Sequence, residues 1–217
     1  MKNMFLAAFL VLSSFAATAQ YDYRDSNRIG IIGGINQFSL NTSNFDVNPE
    51  IGWNLGLSVR GNFYNDFDMV YAMQFSENKF SVPTTSSVTL QKEDVEYKLP
   101  SAQISLMLSY KFIENHLSVE FGPMLQVNDK FKIDDDTNIS NTIDGTAIKA
   151  GDIRKISKFN FYPVVGITAG VRHVRLNVQY AYGLTNMLGN LNDTDTNPGV
   201  KFKGNAGILS GNLIIYL

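Results

Sequence analysis

The sequence has 217 residues, no cysteine and a formal net charge of −2 at pH 7. Without cysteine the chain has neither disulfides nor a lipid anchor attached through a cysteine, and its charge balance excludes the basic footprint of a nucleic-acid-binding protein. The length suits a single domain, because all-β barrels often reach roughly 200 residues undivided.

Residues 1–19 have the pattern of a secretory signal peptide. Lys2 supplies a positive n-region, Met4 to Leu12 an apolar h-region, and Ala17-Thr18-Ala19 an A-x-A cleavage site. The apolar run is far shorter than the ~20 residues that a membrane-spanning helix needs. We therefore predict a cleaved signal peptide at 1–19 and an exported domain at 20–217.

Apolar and polar side chains alternate along most of the remaining chain, and this period of two predicts β-strands. The predicted strands are 28–40, 51–63, 67–76, 103–112, 117–128, 159–171, 174–185 and 203–217. The predicted tight turns are Asn65-Asp66, Glu114-Asn115 and Arg172-His173. The predicted long connections are 41–48, 82–92, 134–155 and 188–200.

The connections between these strands alternate between long and short, as they do in a transmembrane β-barrel with short periplasmic turns and long outer loops. The strands also have the ~9–11 residues that a tilted strand needs to cross a bilayer. Because the chain after the signal peptide has no apolar run of ~20 residues, it would cross a membrane as strands of a closed barrel. The predicted fold is all-β: an eight-stranded antiparallel up-and-down transmembrane β-barrel.

A soluble lipocalin-type barrel has the same alternation with its faces inverted. The composition of the two faces therefore has to distinguish a membrane barrel from a soluble one. The polar faces carry mostly Gly, Ser, Asn, Gln, Thr and Ala, whereas a water-facing strand is normally rich in Lys and Glu. Small neutral side chains suit the crowded interior of a small barrel. We therefore predict polar faces in the lumen and apolar faces on lipid. Pro123 falls on the lipid face and predicts a bulge, because proline lacks a ladder donor.

Aromatic side chains fall mostly toward the strand ends, where the interfacial girdles of membrane barrels form. The predicted girdle comprises Trp53, Phe63, Phe67, Tyr110, Phe112, Phe159, Phe161, Tyr180, Tyr182 and Tyr216. Membrane lipid is therefore a predicted partner of the chain, and nucleic acid is not.

Charged residues on the polar faces lie within a few positions of the tight turns and predict a cluster in that half of the lumen. The cluster comprises Arg60, Asp68, Lys111, Glu120 and Arg175. Buried charges have to be paired, so we interpret the cluster as salt bridges that close the barrel, with Glu120 at its centre. A proton or ion path through the cluster is the alternative interpretation.

No residues form a convincing catalytic or metal-binding pattern. His116 and His173 lie at tight turns, where a metal pair is conceivable but exposed turn residues are the ordinary interpretation. The segment Asp193 to Asn197 resembles the start of a calcium loop, but its glycine comes one position late, at Gly199. Asp134-Asp135-Asp136 is typical of a solvated acidic loop. We predict no catalytic residues, no metal and no cofactor.

The segment 134–155 is predicted to form an ordered hairpin beyond the membrane. Asp144-Gly145 lies between Ile143 and Thr146, and Asp-Gly between β-branched residues favours a two-residue type I′ turn. Counting back from this turn pairs Ile133 with Ile156, which would extend the fifth and sixth strands together. Isolated isoleucines, among them Ile148, would then form an apolar stripe for a protein partner or a neighbouring loop.

Three segments resemble the PorT-like family of small outer-membrane β-barrel domains. They are the Gly-rich first strand with Gly30, Gly33 and Gly34, Phe121-Gly122-Pro123 in the fifth strand, and Tyr180 to Asn186 in the seventh. The resemblance implies an integral outer-membrane protein of a Gram-negative cell. The family's namesake belongs to a secretion and gliding apparatus.

Two functions from different classes follow from this sequence. The first is a structural or accessory membrane protein, without enzymatic activity, that acts through its outer loops or through partners. The segment 134–155 is then the predicted contact for a protein partner. The second is a porin-like transporter of small or apolar solutes, which an eight-stranded lumen disfavours because side chains normally fill it.

Overall fold

The computed structural model describes residues 27–193 and 201–217. The predicted signal peptide and most of the calcium-like segment, 194–197 with Gly199, lie outside the described residues. The described strands are β1 (Arg28–Thr42), β2 (Asn48–Tyr64), β3 (Phe67–Thr85), β4 (Lys92–Ile113), β5 (Leu117–Asn128), β6 (Lys132–Ile133), β7 (Thr142–Ile143), β8 (Phe159–Gly170), β9 (Val174–Tyr182) and β10 (Gly204–Tyr216). Short 3₁₀ turns occupy Asp136–Ser140, Asp152–Arg154 and Gly189–Asp193.

The eight long strands form a closed antiparallel ring. Their order is β4-β5-β8-β9-β10-β1-β2-β3, and the pairing of β3 with β4 closes the ring. Tight turns connect the strands at one end of the ring, which we call the short-turn end, and the long connections lie at the other, the long-loop end. The eight-stranded up-and-down barrel is thus confirmed. Within the described residues, no helix has the length and apolar character needed to cross a membrane.

The two faces of the wall have the polarity expected of a barrel in lipid. On β9, the apolar Leu176 and Val178 point outward and are exposed, whereas Asn177 points inward and is buried. β8 has the same arrangement, with Ile167 exposed and Thr168 buried. An apolar outer surface around a polar interior is the reverse of a soluble barrel.

Strands β3 and β4 extend beyond the other strands at the long-loop end, so the predicted long loop at 82–92 is wrong. The pairing continues to Thr85 and Lys92, and only 86–91 form the connection. The side chains of Val82 and Val95 explain the extension, since both are fully buried against the rest of the chain. Pro83 is tolerated because the pairing of β2 with β3 ends at Ser81 and β7 pairs only with Thr84 and Thr85, so neither ladder needs an N–H from residue 83. Its backbone oxygen accepts from the N–H of Asp144 at 3.0 Å.

The two faces of this extension exchange their polarity. The outer face of β4 is apolar from Ile104 to Phe112 but carries Glu96 and Lys98 further along. The inner face is polar at Gln103 and Ser101 and becomes apolar beyond them, at Leu99, Tyr97 and Val95. An apolar outer face needs lipid and a charged one needs water. The exchange therefore marks the height at which the chain leaves the membrane.

Pro123 does not create the predicted bulge. The β4–β5 register is the same on both sides of it, from Ser105 with Met124 to Leu108 with Phe121. Instead the ladder is interrupted for two residues, because proline has no N–H to donate to the neighbouring strand. Pro123 also pairs with Pro163 on β8, so two residues without donors face each other on the lipid side.

Candidate functional site

The cluster at the short-turn end is built on Arg60, whose side chain crosses the lumen. Its guanidinium donates to Asp68 Oδ2 at 3.1 Å and to Ser109 Oγ at 2.9 Å, and it also bonds to Glu120. Lys111 Nζ lies 3.3 Å from the other oxygen of Asp68. These side chains are almost entirely buried. The structure thus brings together four of the five predicted lumen charges.

The sequence had indicated Glu120 as the centre of this cluster, but the centre is Arg60. Arg60 contacts both carboxylates, whereas Glu120 contacts a single cation. The second carboxylate oxygen of Glu120 instead accepts from Asn177 Nδ2 at 3.3 Å. Arginine suits this position because its planar guanidinium offers five N–H donors in a fixed fork.

Arg175, the fifth predicted lumen charge, faces the same half of the lumen but joins none of these ion pairs. Its side chain is only 2% exposed, and its Nε has no hydrogen-bond partner among the described residues. The sequence pattern did not indicate two further lumen residues. Arg28 donates to the backbone oxygen of Arg172 at 3.2 Å, and Tyr216 places its hydroxyl 3.4 Å from Arg60 Nε.

Tyr216 was predicted to belong to the outer aromatic girdle, and this prediction is wrong. The residue is 2% exposed and points into the lumen, on the same face of β10 as Asn212 and Ser210. Strand parity alone could have found this, because residues an even number of positions apart share one face of a strand.

The other predicted girdle residues point outward and form two groups. Phe63, Phe67, Tyr110 and Phe112 lie near the short-turn end, and the rings of Phe67 and Tyr110 are 5.1 Å apart. Trp53, Phe159, Phe161, Tyr180 and Tyr182 lie toward the long-loop end. The apolar outer surface therefore has an aromatic group near each of its two boundaries.

An aromatic plug fills the lumen at the long-loop end. We define it as Phe38, Phe80, Tyr97 and Phe131, which have no exposed surface. The ring of Phe80 stacks on Tyr97 at 5.0 Å, and its edge meets Phe131 at 4.8 Å. The Tyr97 hydroxyl donates to the backbone oxygen of Ala150 at 2.9 Å. Burial raises the pKa of this hydroxyl well above its usual range, so the phenol stays neutral and able to donate.

The segment 134–155 is ordered, but it is not the predicted extension of the fifth and sixth strands. Ile133 pairs with Tyr97 on β4 instead of with Ile156, and Ile143 pairs with Thr84 on β3. The segment therefore folds over the β3–β4 extension. A free two-stranded hairpin is at best marginally stable, whereas this arrangement buries the apolar side chains against the plug.

The turn at Asp144-Gly145 also differs from the prediction. The N–H of Thr146 donates to the Ile143 oxygen at 3.1 Å, but of the two central residues only Gly145 has a positive φ, of 73°. A type I′ turn needs positive φ at both, so this is not one; a positive φ at the third residue alone is typical of type II. Ile143 and Ile148 are buried and so offer no exposed apolar stripe.

The β3–β4 extension (77–99) and the segment 129–157 together form one body, which we call the cap. Asn141 ties the two parts together: it accepts from the backbone N–H of Ser87 at 3.2 Å and donates to Glu93 Oε1 at 2.6 Å. Asp144 also ties the two parts together, since its Oδ1 accepts from Thr85 Oγ1 at 2.7 Å. Lys92 Nζ also lies 3.2 Å from Asp144 Oδ2. The hydrogen bond from Thr85 and, to a smaller extent, that from Lys92 hold the pKa of the Asp144 carboxyl below its usual range.

The candidate metal-binding residues that the structure describes do not assemble into a site. His116 Nδ1 lies 2.8 Å from the backbone oxygen of Glu114, and His173 lies in an exposed turn. The carboxylate of Asp134 pairs with Lys98 and that of Asp135 accepts from the backbone of Thr137. In the part of the chain that the structure describes, no group of three or more His, Asp or Glu residues could hold a metal ion.

Comparison with known proteins gives a family match and a likeness to solved structures. A family model described as "Outer membrane protein beta-barrel domain" matches residues 18–189. No curated protein has a significantly similar sequence. Among solved structures, the chain is similar to Neisserial surface protein A, at 13% identity and a TM-score of 0.48, with 88% of this chain and 99% of that chain covered. It is also similar to Ail, the attachment invasion locus protein of Yersinia pestis, at 12% identity and a TM-score of 0.49, with 89% and 100% covered.

Proposed function

The chain belongs to the outer membrane protein beta-barrel domain family and lies in the outer membrane of a Gram-negative cell, and on this premise we propose that it is a non-conducting anchor that presents its cap to a protein partner. The role is structural or accessory and involves no enzymatic step. The resemblance to PorT-like chains adds the kind of assembly that the partner would belong to, namely a secretion or surface apparatus.

The observation that carries this proposal is the closure of the lumen at both ends by chemically different clusters. At the short-turn end Arg60 crosses the lumen to reach Asp68 and Glu120. At the long-loop end Phe80 and Tyr97 stack within the aromatic plug. An ion that entered from either side would have to break buried charge pairs and displace fully packed rings, and both are costly.

The cap is suited to binding because it is rigid and lies above the apolar outer surface. At its tip the backbone N–H of Ser86 donates to the Gln91 oxygen at 2.9 Å, and that of Leu90 donates to the Ser86 oxygen at 3.1 Å. This closed loop presents Val88 and Leu90 to solvent, 83% and 78% exposed. A rigid surface binds with a smaller entropy cost than a mobile loop.

Conductance in planar bilayers tests the first half of the proposal. The purified protein should insert without producing stepwise ion currents, and a variant that carries both Phe80→Ala and Arg60→Ala should produce a leak if it still inserts. Stepwise currents from the unaltered protein would overturn the anchor function in favour of a small-solute transporter.

Site-specific photo-crosslinking in intact cells tests the second half. A crosslinking residue at position 88, at the tip of the cap, should give an adduct of one defined mass. The same residue at position 114, in an exposed turn of the short-turn end, should not give that adduct. If no position in the cap gives an adduct of its own, the partner-binding role is wrong.

A further inference from the structure

Among the described residues, Arg175 is the one predicted lumen charge without an ion-pair partner. It lies on β9 and points inward, opposite Gly170 on β8 and Ile214 on β10. The charged and titratable groups that act on it electrostatically are Arg60, Tyr216, Arg28 and Asp68. Within the described residues no carboxylate lies within ion-pair distance of its guanidinium, and its Nε donates to nothing.

The carboxylates in this part of the lumen are already engaged. Asp68 is shared between Arg60 and Lys111, and Glu120 pairs with Arg60. The cluster of Arg60, Lys111, Arg175, Asp68 and Glu120 therefore contains three cations and two anions, and it has one positive charge in excess.

Arg175 itself cannot lose its charge by releasing a proton. The guanidinium of arginine stays protonated in proteins, whereas a buried lysine or histidine would become neutral. An ionised group that is removed from water without a partner costs far more than a neutral polar group. A ligand that brings a negative charge would balance the charge of Arg175 at this position.

We propose that the lumen beside Arg175 binds a small inorganic anion of the halide class. The donors to this anion are the guanidinium of Arg175 and the hydroxyl of Tyr216, which also lies 3.4 Å from Ser58 Oγ. A small anion suits the site because side chains fill most of an eight-stranded interior. It enters from the short-turn end, because Arg175 is the second residue of β9 at that end and the aromatic plug closes the other end.

The test uses the full mature chain, refolded in detergent and unfolded in urea at constant ionic strength. The salt is sodium chloride or sodium bromide in one series and sodium gluconate, whose anion is too large for the site, in the other. Because a ligand that binds only the folded state stabilises it by mass action, each tenfold rise in halide above its Kd should raise the folded-to-unfolded ratio about tenfold.

Two variants separate this site from general salt effects. Arg175→Met removes the charge and keeps most of the side-chain length, so the difference between halide and gluconate should disappear. Arg172→Gln is the matched control, because Arg172 lies in an exposed turn two residues before β9. This control should keep the full halide dependence of the unaltered protein.

Crystals grown in bromide give a second measurement that does not depend on whether Arg175→Met folds. An anomalous peak within hydrogen-bond distance of the Arg175 guanidinium would support the site. Equal stability of the unaltered protein in halide and gluconate, or water alone at that position in the bromide crystals, would overturn the proposal.

Discussion

The ring of Tyr97 stacks on that of Phe80, its register partner across the β3–β4 pair, with centroids 5.0 Å apart and 7° between the ring planes. Both residues have no exposed surface although they lie beyond the apolar outer band. This pair therefore joins two regions with opposite organisation. Below it the lumen is polar and the outside apolar, and above it the cap has an apolar interior and a charged outside.

Phe80→Ala is expected to destabilise the cap by about 3–5 kcal/mol, because it leaves a cavity where a fully buried ring contacted Phe38, Tyr97 and Phe131. Limited proteolysis should then cut the segment 129–157 faster, while the barrel still shows a heat-dependent shift in gel mobility. Phe75→Ala is the control, since Phe75 points toward lipid and is exposed in the isolated chain. Equal protease resistance of the two variants would contradict a role for the stacked pair.

Glu120→Ala should reduce the free energy of unfolding by about 3–5 kcal/mol, since it leaves the buried Arg60 with one carboxylate fewer. The measurement is urea unfolding of the detergent-solubilised barrel. Glu114→Ala removes a carboxylate from an exposed turn and serves as the control; it should change stability by less than about 0.5 kcal/mol. If both variants unfold at the same urea concentration, the ion cluster does not hold the barrel.

Leu57→Arg should destabilise the membrane-inserted barrel by about 2–4 kcal/mol, the cost of a cation at mid-membrane on the lipid face of a barrel. Leu57 is the central outward residue of β2, between Ile51 and Phe63. Glu77→Arg is the matched control, because Glu77 is level with Trp53 at the boundary of the apolar surface. There the cost falls to about 0–1 kcal/mol. Equilibrium unfolding in lipid vesicles measures both, and equal values would place the membrane elsewhere.

The Asp144 carboxyl should titrate below its ordinary pKa of 3.8, because Thr85 and Lys92 donate to its charged form. A carboxyl whose pKa is lower in the folded state contributes stability above its unfolded pKa, and this contribution is lost as the pH falls through the folded pKa. The contact between the turn and β3 should therefore loosen only below about pH 4. NMR titration of the carboxyl carbon gives the pKa, which Thr85→Val should move back toward 3.8 and Thr137→Val, in a separate turn, should not.

Local chain geometry was enough to predict most of the wall. Because successive side chains of a strand point to opposite faces, the alternation along β8 and β9 determined which residues face lipid before any strand was paired. The tight turns could also be predicted from the sequence. They placed Arg60, Asp68, Lys111 and Glu120 in the half of the lumen near these turns. Tyr216 is the one residue wrongly assigned to the girdle. Its aromatic ring suggested the girdle, but its position in the alternation along β10 places it in the lumen.

Contacts between distant segments decided the rest, because they depend on which parts of the chain meet. Val82 and Val95 lie in one buried apolar cluster with Ile133 and Ile143 of segment 129–157, and no local pattern near Pro83 indicates this. Ile133 pairs with Tyr97 on β4 and not with the predicted Ile156. The Asp-Gly signal holds only locally, where Thr142 bridges Lys149. Periodicity likewise placed Arg175 in the lumen, but only the closed ring shows that Arg60 and Lys111 already hold the carboxylates it would have needed.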